Sequence, residues 1–121
     1  MSGIPFGTPE FRKRNAHIFG REPSKTGAVA QESKLHNEII EYCKERRWLY
    51  FHSSMAHATK RIPGEPDFEI LADRSRVFLI ECKAKGGKLS TDQRGVIQWA
   101  AMLGHTVHVV VNMDEFRRIV E

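Results

Sequence analysis

PDFEILADRSRVFLIECK, residues 66–83, decides the reading of this chain. Two short apolar runs, Asp67 to Leu71 and Val77 to Lys83, flank Asp73-Arg74-Ser75-Arg76, a polar tetrapeptide of turn composition. The segment therefore reads as a β-hairpin. Side chains alternate along a strand. In the second run Val77 and Leu79 share a face with Glu81 and Lys83, while Phe78 and Ile80 share the other with Cys82. Apolar residues on both faces predict a central strand covered on both sides.

Downstream, Gly86-Gly87 breaks the chain and Ser90 caps a helix to about Leu103, with Val96, Ile97, Ala100 and Leu103 on its apolar side. Gly104 stops that helix, and Thr106 to Val111 is a β-branched strand. Asn112 and Glu115 have capping-box spacing for a terminal helix to Val120. The helix between two apolar strands has the length of a right-handed crossover joining parallel neighbours. Upstream, residues 52–66 form a loop, and Trp48-Leu49-Tyr50-Phe51 is a short strand. From Glu32 to about Arg47, Leu35, Ile39, Ile40 and Cys43 recur at helical spacing. Residues 1–31, punctuated by Gly3, Pro5, Gly7, Pro9, Gly20, Pro23 and Gly27, read as an irregular arm. The expected class is α/β: a small mixed β-sheet flanked by helices in the order α-β-β-β-α-β-α, built by residues 32–121 as a single domain.

Composition agrees. The 121 residues are 40% hydrophobic and 28% charged, enough for one modest core and too apolar for a disordered chain. No apolar run approaches the roughly 20 residues of a membrane span, and the N-terminus shows no secretory h-region. Cys43 and Cys82 sit in apolar stretches and read as buried free thiols, which fits an intracellular setting. The net charge is +4. Residues 1–31 hold five Lys+Arg against two Asp+Glu, so the arm carries most of the excess. A basic chain points toward a polyanion such as nucleic acid without requiring one.

The central strand ends in a carboxylate and an ammonium, Glu81 and Lys83, on one face. Charges at the end of a buried strand are costly unless compensated. Two compensations fit: a Glu81–Lys83 ion pair at a sheet edge, or a metal site with a lysine beside it. Asp67 opens the preceding strand, and the hairpin brings it near Glu81. Two close carboxylates repel, so one keeps its proton unless a cation binds. Magnesium suits such a pair, with oxygen ligands and several retained waters. The Cys82 carbonyl offers a further ligand. Asp67 also fits a turn cap after Pro66. Glu32 projects within about 60° of Leu35, Ile39 and Cys43 on the helical projection. It either answers the helix dipole or faces the Asp67–Glu81 site. Gln93 completes a capping box with Ser90, and from that helix start its amide is also placed to orient water or Lys83. Gly86-Gly87-Lys88 lacks phosphate-loop spacing, and no Gly-x-Ser-x-Gly elbow exists. The histidines show no metal-ligand spacing with cysteine, and His36 reads as a packing residue.

The set Glu32 … Gly64-x-Pro66-Asp67 … Ile80-Glu81-Cys82-Lys83 … Leu89-Ser90-x-x-Gln93 … Gly104 resembles the VRR-NUC domain. That domain is a branch of the PD-(D/E)xK nuclease superfamily, here in a compact stand-alone form like those of phage genomes. The resemblance covers about residues 32–115; the arm has no counterpart in it. It implies a restriction-endonuclease-like core and a Mg2+- or Mn2+-dependent endodeoxyribonuclease. Asp67, Glu81 and the Cys82 carbonyl would match the metal ligands, and Lys83 the lysine that positions or activates water. Glu32 would match the helix acid and Gln93 the glutamine that follows the lysine. Related stand-alone domains act on branched DNA such as Holliday junctions as homodimers, so DNA and a second copy are the partners implied.

Overall fold

The computed structural model describes residues 22–53 and 62–121, so residues 1–21 of the expected arm and the loop segment 54–61 lie outside it. Helix α1 (Glu22–Arg46) is followed by strands β1 (Leu49–His52), β2 (Phe68–Leu71) and β3 (Val77–Cys82). Helix α2 (Thr91–Met102), strand β4 (Val107–Val110) and helix α3 (Met113–Val120) complete the order α-β-β-β-α-β-α expected from the sequence.

Helix α1 begins at Glu22, well before the expected start at Glu32. Pro23 and Gly27 do not interrupt it. Proline is tolerated in a first turn, where its missing N–H has no intrahelical partner. A single helical glycine costs only about 1 kcal/mol relative to alanine, and the Ala28 to Glu32 run continues the helix. The helix closes on Arg47, which adopts φ 60°. The Trp48 N–H donates back to the Cys43 carbonyl at 2.9 Å and the Arg47 N–H to the Lys44 carbonyl at 3.1 Å. This is a Schellman-type stop made without glycine.

The four strands lie in the order β1-β2-β3-β4, antiparallel through β3 and parallel between β3 and β4. Arg74 and Ser75, at φ 55° and 61°, make the β2–β3 connection a type I′ turn, whose twist matches the strands it joins. Ser90 caps α2 with a complete capping box. Asn112 Oδ1 accepts the Glu115 N–H at 2.9 Å, while the Glu115 carboxylate reaches one residue further back, to the Val111 N–H.

Leu35, Ile39 and Cys43 of α1 and Phe116 and Val120 of α3 close over Phe68, Ile70, Ile80, Cys82 and Val110. The opposite face departs from expectation. β3 is central, but Val77 is 62% exposed, and Leu49, Phe51 and Leu71 beside it on that face are exposed too. The apolar side expected of α2 is only half-buried: no residue of that helix is buried, and Trp99 and Met102 are 67% and 80% exposed. The second face of the sheet is thus covered only in part, near Glu81 and Val107. Among the described residues no helix is long and apolar enough to cross a membrane.

Candidate functional site

The β2–β3 register builds the site. Phe68 pairs with Ile80, and carrying that antiparallel register one step further sets Asp67 opposite Glu81. Directly opposed residues lie on one face, close enough to interact. The two carboxyl groups lie close enough for the charge of Asp67 to act on Glu81. Asp67 Oδ2 also accepts the Cys82 N–H at 2.8 Å, which ties the turn residue to β3. Glu81 is buried, at 3% exposure. It receives a hydrogen bond from Gln93 Nε2 at 2.8 Å. Gln93 Oε1 meanwhile accepts the Ser90 N–H at 2.9 Å, so the side chain serves both the helix cap and the carboxylate.

Lys83 lies near enough to favour the charged form of Glu81, and Glu32 near enough to oppose it. Glu32 lies more than two turns inside α1, which removes the helix dipole as its explanation, since that effect is confined to the terminal turn. The structure therefore brings Asp67, Glu81 and Gln93 into contact and holds Glu32 and Lys83 within electrostatic reach. Of Cys82, the side chain is buried in the core and the N–H holds Asp67.

The two acids are electrostatically unlike. Burial, and then the charge of Asp67, push Glu81 up to about 8 despite the opposing ammonium of Lys83. Burial also pushes Asp67 upward, but hydrogen bonds from His36 and the Cys82 N–H outweigh it and hold its carboxyl below the ordinary value. Burial and the neighbouring charge thus favour a proton on Glu81, while Asp67 is favoured in its ionised form. Such a pair is an oxygen-donor set with a proton where a cation would relieve the repulsion, so the residues fit a hard divalent ion such as Mg2+ or Mn2+.

His36 belongs to this cluster although its sequence position pointed only to packing. It does pack, edge-on to Phe68 with ring centroids 5.3 Å apart. Its Nε2 also lies 3.5 Å from Asp67 Oδ2, and its Nδ1 is 2.9 Å from His52 Nε2. The one signal available in the sequence was its place beside the apolar stripe, one turn after Glu32.

Gly64 sets the approach of the Pro66-Asp67 turn. Its φ is 85°, and a Cβ there would sit 2.3 Å from the Asp92 carbonyl oxygen and 2.9 Å from the Gln93 nitrogen. The turn that carries Asp67 thus rests on the first turn of α2, which carries Gln93. Only glycine combines that dihedral with that contact.

No protein-family model, no curated protein and no solved structure matches the chain.

Proposed function

We propose that the chain is a Mg2+- or Mn2+-dependent endodeoxyribonuclease that hydrolyses phosphodiester bonds in branched DNA such as Holliday junctions. The observation that carries this reading is the opposed Asp67–Glu81 pair, with Gln93 hydrogen-bonded to Glu81 and Lys83 near it. A phosphodiester is already anionic, so the site must neutralise further charge as water attacks. The ion, held by Asp67, Glu81 and the Cys82 carbonyl, would supply Lewis acidity and a lowered pKa for bound water. Lys83, near enough to act on the charge of Glu81, would bring an ammonium to the attacking water and the developing charge. Gln93 orients Glu81 from the helix cap, and Glu32 adds a carboxylate from α1. The resemblance to the VRR-NUC domain supplies the substrate class, and the net charge of +4 supports a polyanionic partner.

A homodimer belongs to the same reading, because two-fold symmetry suits a symmetric junction. Exposed Trp99, Met102 and Leu103 support it as apolar surface available to a second copy.

The test is cleavage of four-way, flap and linear duplex DNA in Mn2+, with Asp67→Ala, Glu81→Ala and Lys83→Ala as controls. The expected result is cutting of branched substrates that falls by about two orders of magnitude or more in each variant. Variants that fold and cut like the parent refute the assigned roles. Salt-sensitive binding without turnover, with a slope of about 0.9 per phosphate contact, would favour a non-catalytic nucleic-acid-binding module on the same fold.

A further inference from the structure

We propose that His36, Asp67 and Cys82 form a second metal site, one that selects a borderline-soft divalent ion of the Zn2+ class. The all-oxygen Asp67–Glu81 pair differs from it in donor chemistry. The three residues come from α1, from the turn before β2 and from β3, which is why no cysteine–histidine spacing in the sequence announces them. An imidazole nitrogen, a carboxylate oxygen and the thiol sulfur lie within 4.8 Å of one another.

The geometry is close to that of a bound ion. With Zn–N and Zn–O bonds of about 2.0–2.1 Å, the N···O edge of a tetrahedral site is about 3.4 Å. The observed His36 Nε2 to Asp67 Oδ2 distance is 3.5 Å. The longer Zn–S bond, about 2.3 Å, makes edges to sulfur of about 3.6 Å, so closing the triad on one ion takes movements of about 1 Å. Magnesium rarely takes nitrogen or sulfur, whereas Zn2+ and Co2+ are bound by imidazole, thiolate and carboxylate together.

Two of the three ligands are already oriented. His36 Nδ1 sits 2.9 Å from His52 Nε2, the kind of outer partner that metal-binding histidines use to fix their tautomer. When Nε2 takes the ion in place of its contact with Asp67, the ring proton would sit on Nδ1 and be donated to His52 Nε2. Asp67 Oδ2 is fixed by the Cys82 N–H at 2.8 Å. Cys82 is wholly buried, while His36 and Asp67 retain side-chain exposures of 21% and 16%, enough to leave the solvent side open for entry and for a water as fourth ligand. Binding forms a metal–sulfur bond and releases the thiol proton to solvent. Because Asp67 belongs to both donor sets, an ion drawn to the Cys82 side takes that carboxylate from the Glu81 side. The site stands whether or not the chain cuts DNA.

Co2+ titrated alone into the reduced full-length protein tests it, because a thiolate–cobalt bond gives an intense charge-transfer band in the near ultraviolet. The expected result is a band that Zn2+ abolishes by displacement, that survives Cys43→Ser and that is lost in Cys82→Ser. His36→Ala, a half-exposed position, should bind Co2+ at least about tenfold more weakly while keeping the circular dichroism of the parent. Absence of the band in the parent, its survival in Cys82→Ser, or unchanged affinity in His36→Ala overturns the proposal. X-ray absorption of the Zn2+-loaded parent needs no variant: one sulfur neighbour supports the site, and a shell of oxygen and nitrogen alone refutes it.

Discussion

Replacing Glu81 by glutamine should make the metal-free protein less sensitive to alkali. Glu81 is pushed up to about 8 in the folded chain, against an ordinary value of 4.5. Between those values the folded state holds a proton that the unfolded state has lost. Stability is therefore highest at the acid end of the window and falls as pH rises, at about 1.4 kcal/mol per pH unit, and is flat again above the folded value. Across the window the loss is bounded at roughly 5 kcal/mol, an upper limit because the site relaxes and admits water. Glu81→Gln imitates the protonated acid: its amide donates to Asp67, its carbonyl accepts from Gln93, and nothing ionises. The assay is urea denaturation from about pH 5 to about pH 9 with chelator present, reading the parent minus the variant. That difference removes titrations common to both, including His108, which burial holds below its ordinary value and which contributes with the opposite sign. The parent should lose several kcal/mol relative to Glu81→Gln over this range. In saturating Mg2+ the difference should flatten, because the ion takes the proton's place. Parallel pH curves without metal would show that Glu81 is not forced to hold a proton, and the electrostatic basis of the site would be gone.

Three further substitutions probe the supports. Gly64→Ala puts a Cβ 2.3 Å from the Asp92 carbonyl oxygen at φ 85°; it should cost about 2–3 kcal/mol and lower the thermal midpoint, and an unchanged midpoint refutes the contact. Ser90→Ala removes the acceptor of the Gln93 N–H, and should cost about 1 kcal/mol in denaturant titration while loosening Gln93 from its position. Arg47→Gly relieves a left-handed residue at φ 60° and should stabilise by up to about 1 kcal/mol; a destabilised variant would mean that the arginine side chain matters more than its backbone.

Much of the fold was legible because its signals are local. The period-two pattern of Val77–Cys82, the turn at Asp73–Arg76, the Ser90 capping box and the Asn112 cap all depend on neighbours within a few residues, and each is found in place. The pairing of Asp67 with Glu81 followed from one hairpin. What escaped depends on distant parts of the chain. Pro23 and Gly27 hide the start of α1, because locally they signal a break while the helix in fact runs through them. The open face of the sheet leaves no local signal, because apolar alternation shows that a strand has two apolar faces, not whether α2 reaches far enough to cover both. His36 shows only packing in the sequence, because a helical stripe tells which way a residue points and not what waits there. Gln93 has both of its expected places, since the cap and the site meet in one side chain: its Oε1 closes the capping box and its Nε2 reaches Glu81.

Helix α2 buries none of its residues, yet it carries Gln93, the direct partner of Glu81. An element so thinly anchored should detach from the sheet at a free energy well below that of global unfolding, and its amide protons should exchange with solvent by that route. Each detachment takes the glutamine off the acid and lets water reach it. How readily Glu81 ionises is thereby coupled to how often this one helix lifts away, and an ion that locks the acid in place should slow deuterium uptake along Thr91–Met102.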